Sequence, residues 1–121
     1  MDKNVLTLAY LGDAIYEIYI REYLVNKGII KVDELQKSAV KYVSAKGQAH
    51  YLQNFIDNGI LKEDELEIVY RARNHKGTRH PKNTDIITYK YATGLEALIG
   101  YLYLDKRKER IEELMNYIRG E

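Results

Sequence analysis

The sequence has no cysteine, no tryptophan, one proline and one phenylalanine. Without cysteine it has neither disulfides nor thiolate metal ligands, and a reducing compartment suits it. No apolar run is long enough to span a bilayer, and the first four residues lack the basic and hydrophobic regions of a signal peptide. These absences predict a cytoplasmic protein with no membrane partner.

The length of the chain predicts the number of domains, and the charge pattern predicts where positive side chains are concentrated. A chain of 121 residues predicts a single domain over residues 1–121. The net charge is only +1, but residues 71–82 hold five basic side chains and no acid, which leaves a net charge of −4 on the rest. Positive charge is therefore expected in one local segment.

Apolar residues recur at three- and four-residue steps and strand-like alternation is nearly absent, which predicts an all-α domain. The predicted helices run from Val5 to Asn26 before Gly28, from an Asp33 N-cap to Val43, from a Ser44 N-cap to Asn58-Gly59, from Glu63 to Asn74, from a cap at Thr84 or Asn83 to Leu104, and from Lys106 to Arg119. Residues 75–83 break the periodicity and are expected to form an exposed loop.

Two acids interrupt apolar helices, Asp13 in the first and Glu96 in the fifth. An unpaired buried carboxylate costs several kcal/mol, so each acid needs a partner if it faces the core. Glycine at position 12 destabilises a helix by about 1 kcal/mol relative to alanine. We therefore expect Gly12 to allow the close approach of another backbone. We expect the two helices to pack together, with both acids on one Mg²⁺ or Mn²⁺. The alternatives are a buried Asp13 paired with a basic side chain and an exposed Glu96.

The segments that carry these acids resemble the two signature segments of the ribonuclease III catalytic domain: Tyr10-Leu11-Gly12-Asp13-Ala14, Leu95-Glu96-Ala97-Leu98-Ile99-Gly100 and Tyr103-Leu104-Asp105. Residues 8–17 and 81–85 are similar to the compact branch, Mini-ribonuclease III. The resemblance implies a homodimeric helical bundle and a divalent-metal-dependent endoribonuclease that cleaves double-stranded RNA, with 23S ribosomal RNA precursors as substrate. It also implies that a double-stranded-RNA-binding domain is absent.

The resemblance implies Asp13 and Glu96 as catalytic residues and ligands of Mg²⁺, with Mn²⁺ as a substitute and one or two ions open. The family carries further acids at positions that here are Leu6, Ala9 and Thr93. One hypothesis is that the Thr93 hydroxyl orients a metal-bound water. The missing acids motivate an alternative function, a catalytically inactive duplex-RNA-binding or ribosome-assembly module, and a helical interaction dimer without nucleic acid is a third possibility.

Several remaining residues have two interpretations each. The basic loop is either a phosphate-binding surface or a solvated segment without a partner, and the absence of aromatic residues there favours duplex over single-stranded RNA. The candidate RNA-binding residues are Arg73, Lys76, Arg79, His80, Lys82 and Lys46, and for Lys46 we prefer the interpretation as a solvated lysine.

Other side chains have a structural and a functional interpretation. Glu17 either pairs with Arg21 four residues later, which we prefer, or supports Asp13. Tyr10 occupies the position of a family aromatic that enters the partner subunit, or else packs in its own core. Most of the 12 tyrosines are expected to be core rings with surface hydroxyls.

Overall fold

The computed structural model describes residues 4–76, 82 and 84–120. This part of the chain forms six α-helices and no β-strand, which confirms the all-α prediction. The helices are α1 (Val5–Asn26), α2 (Val32–Val43), α3 (Ala45–Asp57), α4 (Glu63–Arg73), α5 (Ile86–Leu104) and α6 (Lys108–Arg119). None of these helices is both long and apolar enough to cross a membrane.

Local capping explains most of the helix boundaries. Asn4 opens α1 by accepting a hydrogen bond from the backbone N–H of Leu6 at 2.7 Å, and Gly28 follows its end at φ +91°. Ser44 opens α3 by accepting from the N–H of Gly47 at 3.0 Å. The predicted bounds of α1, α3 and α4 are confirmed.

The predicted starts of α2 and α6 were wrong. Asp33 lies in the first turn of α2, where its charge faces the positive end of the helix, and Lys31 is the N-cap without a side-chain hydrogen bond. Before α6, Lys106 adopts φ +58°, in the left-handed region, so the helix begins only at Lys108.

The cap of α5 is Asp85, so the predicted caps were also wrong. The Asp85 carboxylate accepts from the backbone N–H and from the hydroxyl of Thr88, both at 2.8 Å. Thr84 precedes this cap, and Asn83 lies outside the described residues. Asp85 prevails because a carboxylate satisfies two donors of the first turn.

The core is built around α5, which packs against α1, α3, α4 and α6. Its buried residues occupy almost its whole circumference, as expected for a central helix. The inner face predicted for α6 is confirmed, with Ile111, Leu114, Met115 and Ile118 all buried.

Backbone contact between α1 and α5 depends on two glycines. A Cβ added at Gly12 would overlap the backbone carbonyl of Glu96, and one at Gly100 would overlap that of Leu8. Each helix therefore has a glycine where it contacts the backbone of the other helix, as the sequence predicted for Gly12. This contact places Asp13, the next residue of α1, beside the Glu96 turn of α5.

The tyrosines are more varied than predicted. Tyr16 is fully buried with its hydroxyl, which donates to the backbone carbonyl of Tyr42 at 2.7 Å, so a surface hydroxyl was wrong for this residue. Burial raises the pKa of the Tyr16 hydroxyl far above its ordinary value. By contrast, Tyr10, Tyr103 and Tyr117 are more than half exposed.

Candidate active site

The structure brings Asp13 and Glu96 together where α1 and α5 touch. Asp13 is exposed and Glu96 is half-buried, which contradicts the alternatives of a buried Asp13 and an exposed Glu96. The reason is helix geometry: Gly12 is the residue that points at α5, and Asp13 lies about 100° further around α1. Asp13 is thus at the rim of the helix pair, with its carboxyl group in hydrogen-bonding contact with that of Glu96.

The environment of Glu96 disfavours its charged form. Burial is the largest cause, and the hydrogen bond and negative charge of Asp13 add to it, so the pKa of Glu96 rises to about 8. The charge of Glu17 acts in the same direction. Without a cation, the site therefore favours the neutral form of Glu96 over its charged form.

Glu17 has the partner that the sequence predicted. Its Oε2 accepts from Arg21 Nε at 3.1 Å, four residues along α1. This exposed ion pair occupies Glu17, although its charge still reaches Glu96.

Gln48 on α3 completes the surroundings of Glu96, and the sequence analysis missed it. Gln48 is buried, and its amide interacts with the Glu96 carboxylate and lowers the pKa of that group. Its position was available from the sequence, because Gln48 falls at helical spacing between Ala45 and Leu52 on the predicted apolar face. A polar residue within that stripe was the missed signal.

Thr93 has a different role from the one suggested. It is buried, and its hydroxyl donates to the backbone carbonyl of Tyr89 at 2.9 Å. Its hydrogen is therefore committed to its own helix, and Thr93 donates nothing to the acid pair.

The donor set suits a hard divalent cation. Two carboxylates supply oxygen ligands, and the exposure of Asp13 leaves room on the solvent side. Among the described residues, no group of three or more His, Asp or Glu side chains is arranged to hold a metal. A set of only two carboxylates fits Mg²⁺, which keeps several waters and takes further ligands from phosphate.

Of the candidate RNA-binding residues, Arg73 is the most firmly held. Its guanidinium lies 4.7 Å from the ring centroid of Tyr70 and 5.3 Å from that of Tyr91, and it donates to the Tyr91 hydroxyl at 3.3 Å. These contacts fix Arg73 at the junction of α4 and α5.

The structure describes three of the other five candidates. Lys46, Lys76 and Lys82 are exposed. Arg79 and His80 fall outside the described residues. The structure places Lys46 on α3, two residues before Gln48.

Tyr10 is exposed, which contradicts its placement in its own core. It lies one turn before Asp13 on α1 and is 84% exposed, and Ile18 on the same helix is 63% exposed. Two large apolar side chains on one outer surface suit contact with another molecule.

Comparison with known proteins identifies the family of the chain. The model of the ribonuclease III domain matches residues 6–107. The chain belongs to the ribonuclease III family. A protein of Enterococcus faecalis named Mini-ribonuclease 3 is 51% identical over 114 residues, covering 94% of this chain and 86% of the relative. Its namesake from Staphylococcus aureus is 45% identical over 115 residues, with 95% and 86% covered.

A solved structure also matches this ribonuclease III. The crystal structure of a protein from Fusobacterium nucleatum superimposes with a TM-score of 0.86 at 37% identity, covering 98% of this chain and 93% of that one. These similarities confirm the Mini-ribonuclease III branch, the fold and an endoribonuclease of the ribonuclease III type. An enzyme is therefore favoured over the inactive binding module.

Proposed function

We propose that this ribonuclease III hydrolyses phosphodiester bonds in double-stranded RNA with a divalent cation, Mg²⁺ or Mn²⁺, held by Asp13 and Glu96. The observation that carries the proposal is the meeting of the two carboxyl groups of Asp13 and Glu96. Within the described chain, the side chains that act most strongly on Glu96 are Asp13, Glu17 and the neutral Gln48. A site that gathers negative charge in this way is suited to a cation.

The two acids have different tasks. Glu96, half-buried on the central helix, anchors the site, and Asp13 extends it to the surface that RNA approaches. Glu96 must lose its proton when it becomes a ligand, so cation binding releases a proton below about pH 8. The cation, when bound, stabilises negative charge on the phosphate and lowers the pKa of a water.

The basic residues would hold the duplex through its phosphates. Arg73 offers a planar guanidinium whose direction is set by Tyr70 and Tyr91, and Lys76 and Lys82 offer exposed ammonium groups. Such contacts recognise backbone shape without reading sequence, and their affinity falls steeply with salt. Lys46, Arg79 and His80 are included in this proposed surface from the sequence alone.

The proposal includes a homodimer formed through the α1 surface with Tyr10. The exposure of Tyr10 and Ile18 supports it, together with the resemblance to a dimeric family. A dimer supplies two acid pairs, one for each RNA strand. Sedimentation of Tyr10→Asp is expected to give a monomer, and a dimer of unchanged stability would exclude this surface.

The substrate proposed is the precursor of 23S ribosomal RNA in the cytoplasm, trimmed at its ends. Relatives named Mini-ribonuclease 3 that match nearly the whole chain support this choice through the branch to which the chain belongs.

The deciding experiment is Asp13→Asn on a purified RNA duplex with Mg²⁺. Losing one of two carboxylate ligands should remove several kcal/mol of transition-state stabilisation, so cleavage should fall at least about 10³-fold. Duplex binding, measured by gel shift with Ca²⁺ in place of Mg²⁺, should be retained.

Glu22→Gln is the matched control, because Glu22 is another exposed acid of α1. It should cleave at the wild-type rate. Unchanged turnover in Asp13→Asn would remove the site assignment, and a wild-type protein that shifts the duplex without cutting it would favour the inactive binding module.

A further inference from the structure

Gln48 is an unusual residue for the interior of this protein. It is 3% exposed and shares its buried face of α3 with Leu52 and Phe55, which are almost wholly buried. Buried amides are normally hydrogen-bonded, because an unpaired one costs about 1–3 kcal/mol. Helix packing alone is served better by an apolar side chain, so the amide needs another explanation.

The amide meets one charged group, the carboxylate of Glu96. The two side chains interact across the packed surfaces of α3 and α5. Within the described chain, however, Gln48 Nε2 makes no hydrogen bond of ordinary length and angle. Gln48 thus brings a buried donor without a hydrogen-bond partner into the surroundings of Glu96.

The backbone that carries Gln48 is firmly placed. The preceding residue, Gly47, donates to the Ser44 side chain at 3.0 Å, and a Cβ at Gly47 would overlap the backbone carbonyl of Lys41. The first turn of α3 is therefore seated directly against the end of α2. Gln48 projects from a rigid position, as a group that orients another side chain requires.

We propose that Gln48 is a positioning residue, whose Nε2 donates to the Glu96 carboxylate and holds it beside Asp13 in the orientation that binds the divalent cation. This inference rests on the proposed function of the acid pair. Hydrogen bonds to a metal ligand from a residue outside the coordination sphere fix the ligand's orientation. The proposal gives the buried, unpartnered Nε2 a role, because a donor at this position can orient the neighbouring Glu96 side chain.

The test is Gln48→Met, which keeps the length of the side chain and removes its polar atoms. Mn²⁺ affinity, measured without RNA from the electron paramagnetic resonance signal of the free ion, should fall about 10–100-fold. Melting temperature should be unchanged or higher, because a buried unpaired amide is lost. Duplex binding without metal should be unchanged, and cleavage at saturating RNA should fall.

Gln53→Met is the matched control on the same helix. Gln53 donates to Asp57 at 2.7 Å, away from the acid pair, so its loss should leave Mn²⁺ affinity at the wild-type value. A folded Gln48→Met protein that binds Mn²⁺ and cleaves like the wild type would overturn the proposal. If Gln48→Met does not fold, Gln48→Asn withdraws the same donor by one methylene, and wild-type Mn²⁺ affinity in that variant would overturn it equally.

Asp13→Asn separates failure of this inference from failure of the proposed function. If Asp13→Asn loses Mn²⁺ binding while Gln48→Met retains it, the acid pair binds the cation and only the role of Gln48 is wrong. If Asp13→Asn also binds Mn²⁺ normally, both the site and the inference fail.

Discussion

Glu65 and Glu96 are both acids on helix faces that pack into the protein, and their surroundings are opposite. Glu65 is fully buried, and both of its oxygens accept from Arg110, from Nε and Nη2, each at 2.8 Å. It also accepts from the backbone N–H of Lys62 at 2.8 Å. Burial alone would raise the pKa of Glu65, but the hydrogen bonds from Arg110 and Lys62 outweigh it and lower that pKa.

Glu96 receives no such compensation. Its strongest neighbours in the described chain are a second carboxyl group and a neutral amide, and its pKa is raised to about 8. The protein thus neutralises Glu65 with its own arginines, whereas Glu96 lies beside a second acid. The comparison separates an acid that joins α4 to α6 from an acid whose surroundings disfavour its charged form, as is common at functional sites.

The largest effect is expected from breaking the compensated pair. Arg110→Met removes the two 2.8 Å hydrogen bonds from Arg110 to the buried Glu65 and leaves it with the longer contact from Arg107 Nη2 at 3.4 Å. The free energy of unfolding should therefore fall by about 3 kcal/mol in urea denaturation. The double variant Glu65→Leu/Arg110→Met removes both charges and should recover most of that loss. A single variant within about 0.5 kcal/mol of wild type would show that the pair is structurally unimportant.

The contrast also shows what the sequence can disclose. Gly12, Asp13 and Glu96 stand out because each violates the apolar pattern of its own helix, and that pattern is local. Glu65 does not stand out, because it follows two other acids at a helix start, where charge is expected. Its burial depends on Arg110, 45 residues later, which no local pattern reports.

Helix ends show the same limit on a smaller scale. Asn83, Thr84 and Asp85 are three consecutive residues that can each cap a helix, and the choice of Asp85 depends on how the chain turns into α5. The left-handed conformation of Lys106 was equally hidden, since lysine seldom adopts it. The sequence therefore predicted that each element is a helix. It predicted a helix boundary only where one residue was clearly the best cap.

A smaller loss of stability is expected from a substitution at the backbone contact between α1 and α5, which holds the two acids together. In Gly12→Ala, the new Cβ overlaps the Glu96 carbonyl, so α1 must shift, and overpacking should cost about 1–3 kcal/mol. Asp13 moves with α1, so cleavage should fall as well.

Gly94→Ala is the control on α5 itself. Its Cβ would meet first the flexible end of Leu52 at 3.0 Å, and the gain in helix propensity of about 1 kcal/mol offsets the adjustment. Equal destabilisation of both variants, measured by urea unfolding, would mean that the contact between α1 and α5 is not the sensitive one.

The smallest effect is the pH dependence that Glu96 itself imposes on stability. Because its pKa rises from the ordinary value of 4.5 to about 8 on folding, the folded protein binds the Glu96 proton more tightly than the unfolded chain does. The stabilisation is fully present below about pH 4.5 and is lost as the pH rises towards 8. For a half-buried group reached by solvent, the loss should be on the order of 1 kcal/mol.

The measurement is urea unfolding across that pH range without divalent metal. Glu96→Gln should flatten this component of the profile because it cannot ionise, whereas Glu22→Gln should keep the wild-type slope. Saturating Mg²⁺ should reverse the trend, since the cation binds the ionised pair and stabilises the folded state more as the pH rises. An identical slope in wild type and Glu96→Gln would mean that Glu96 is as well compensated as Glu65, and the contrast between the two acids would disappear.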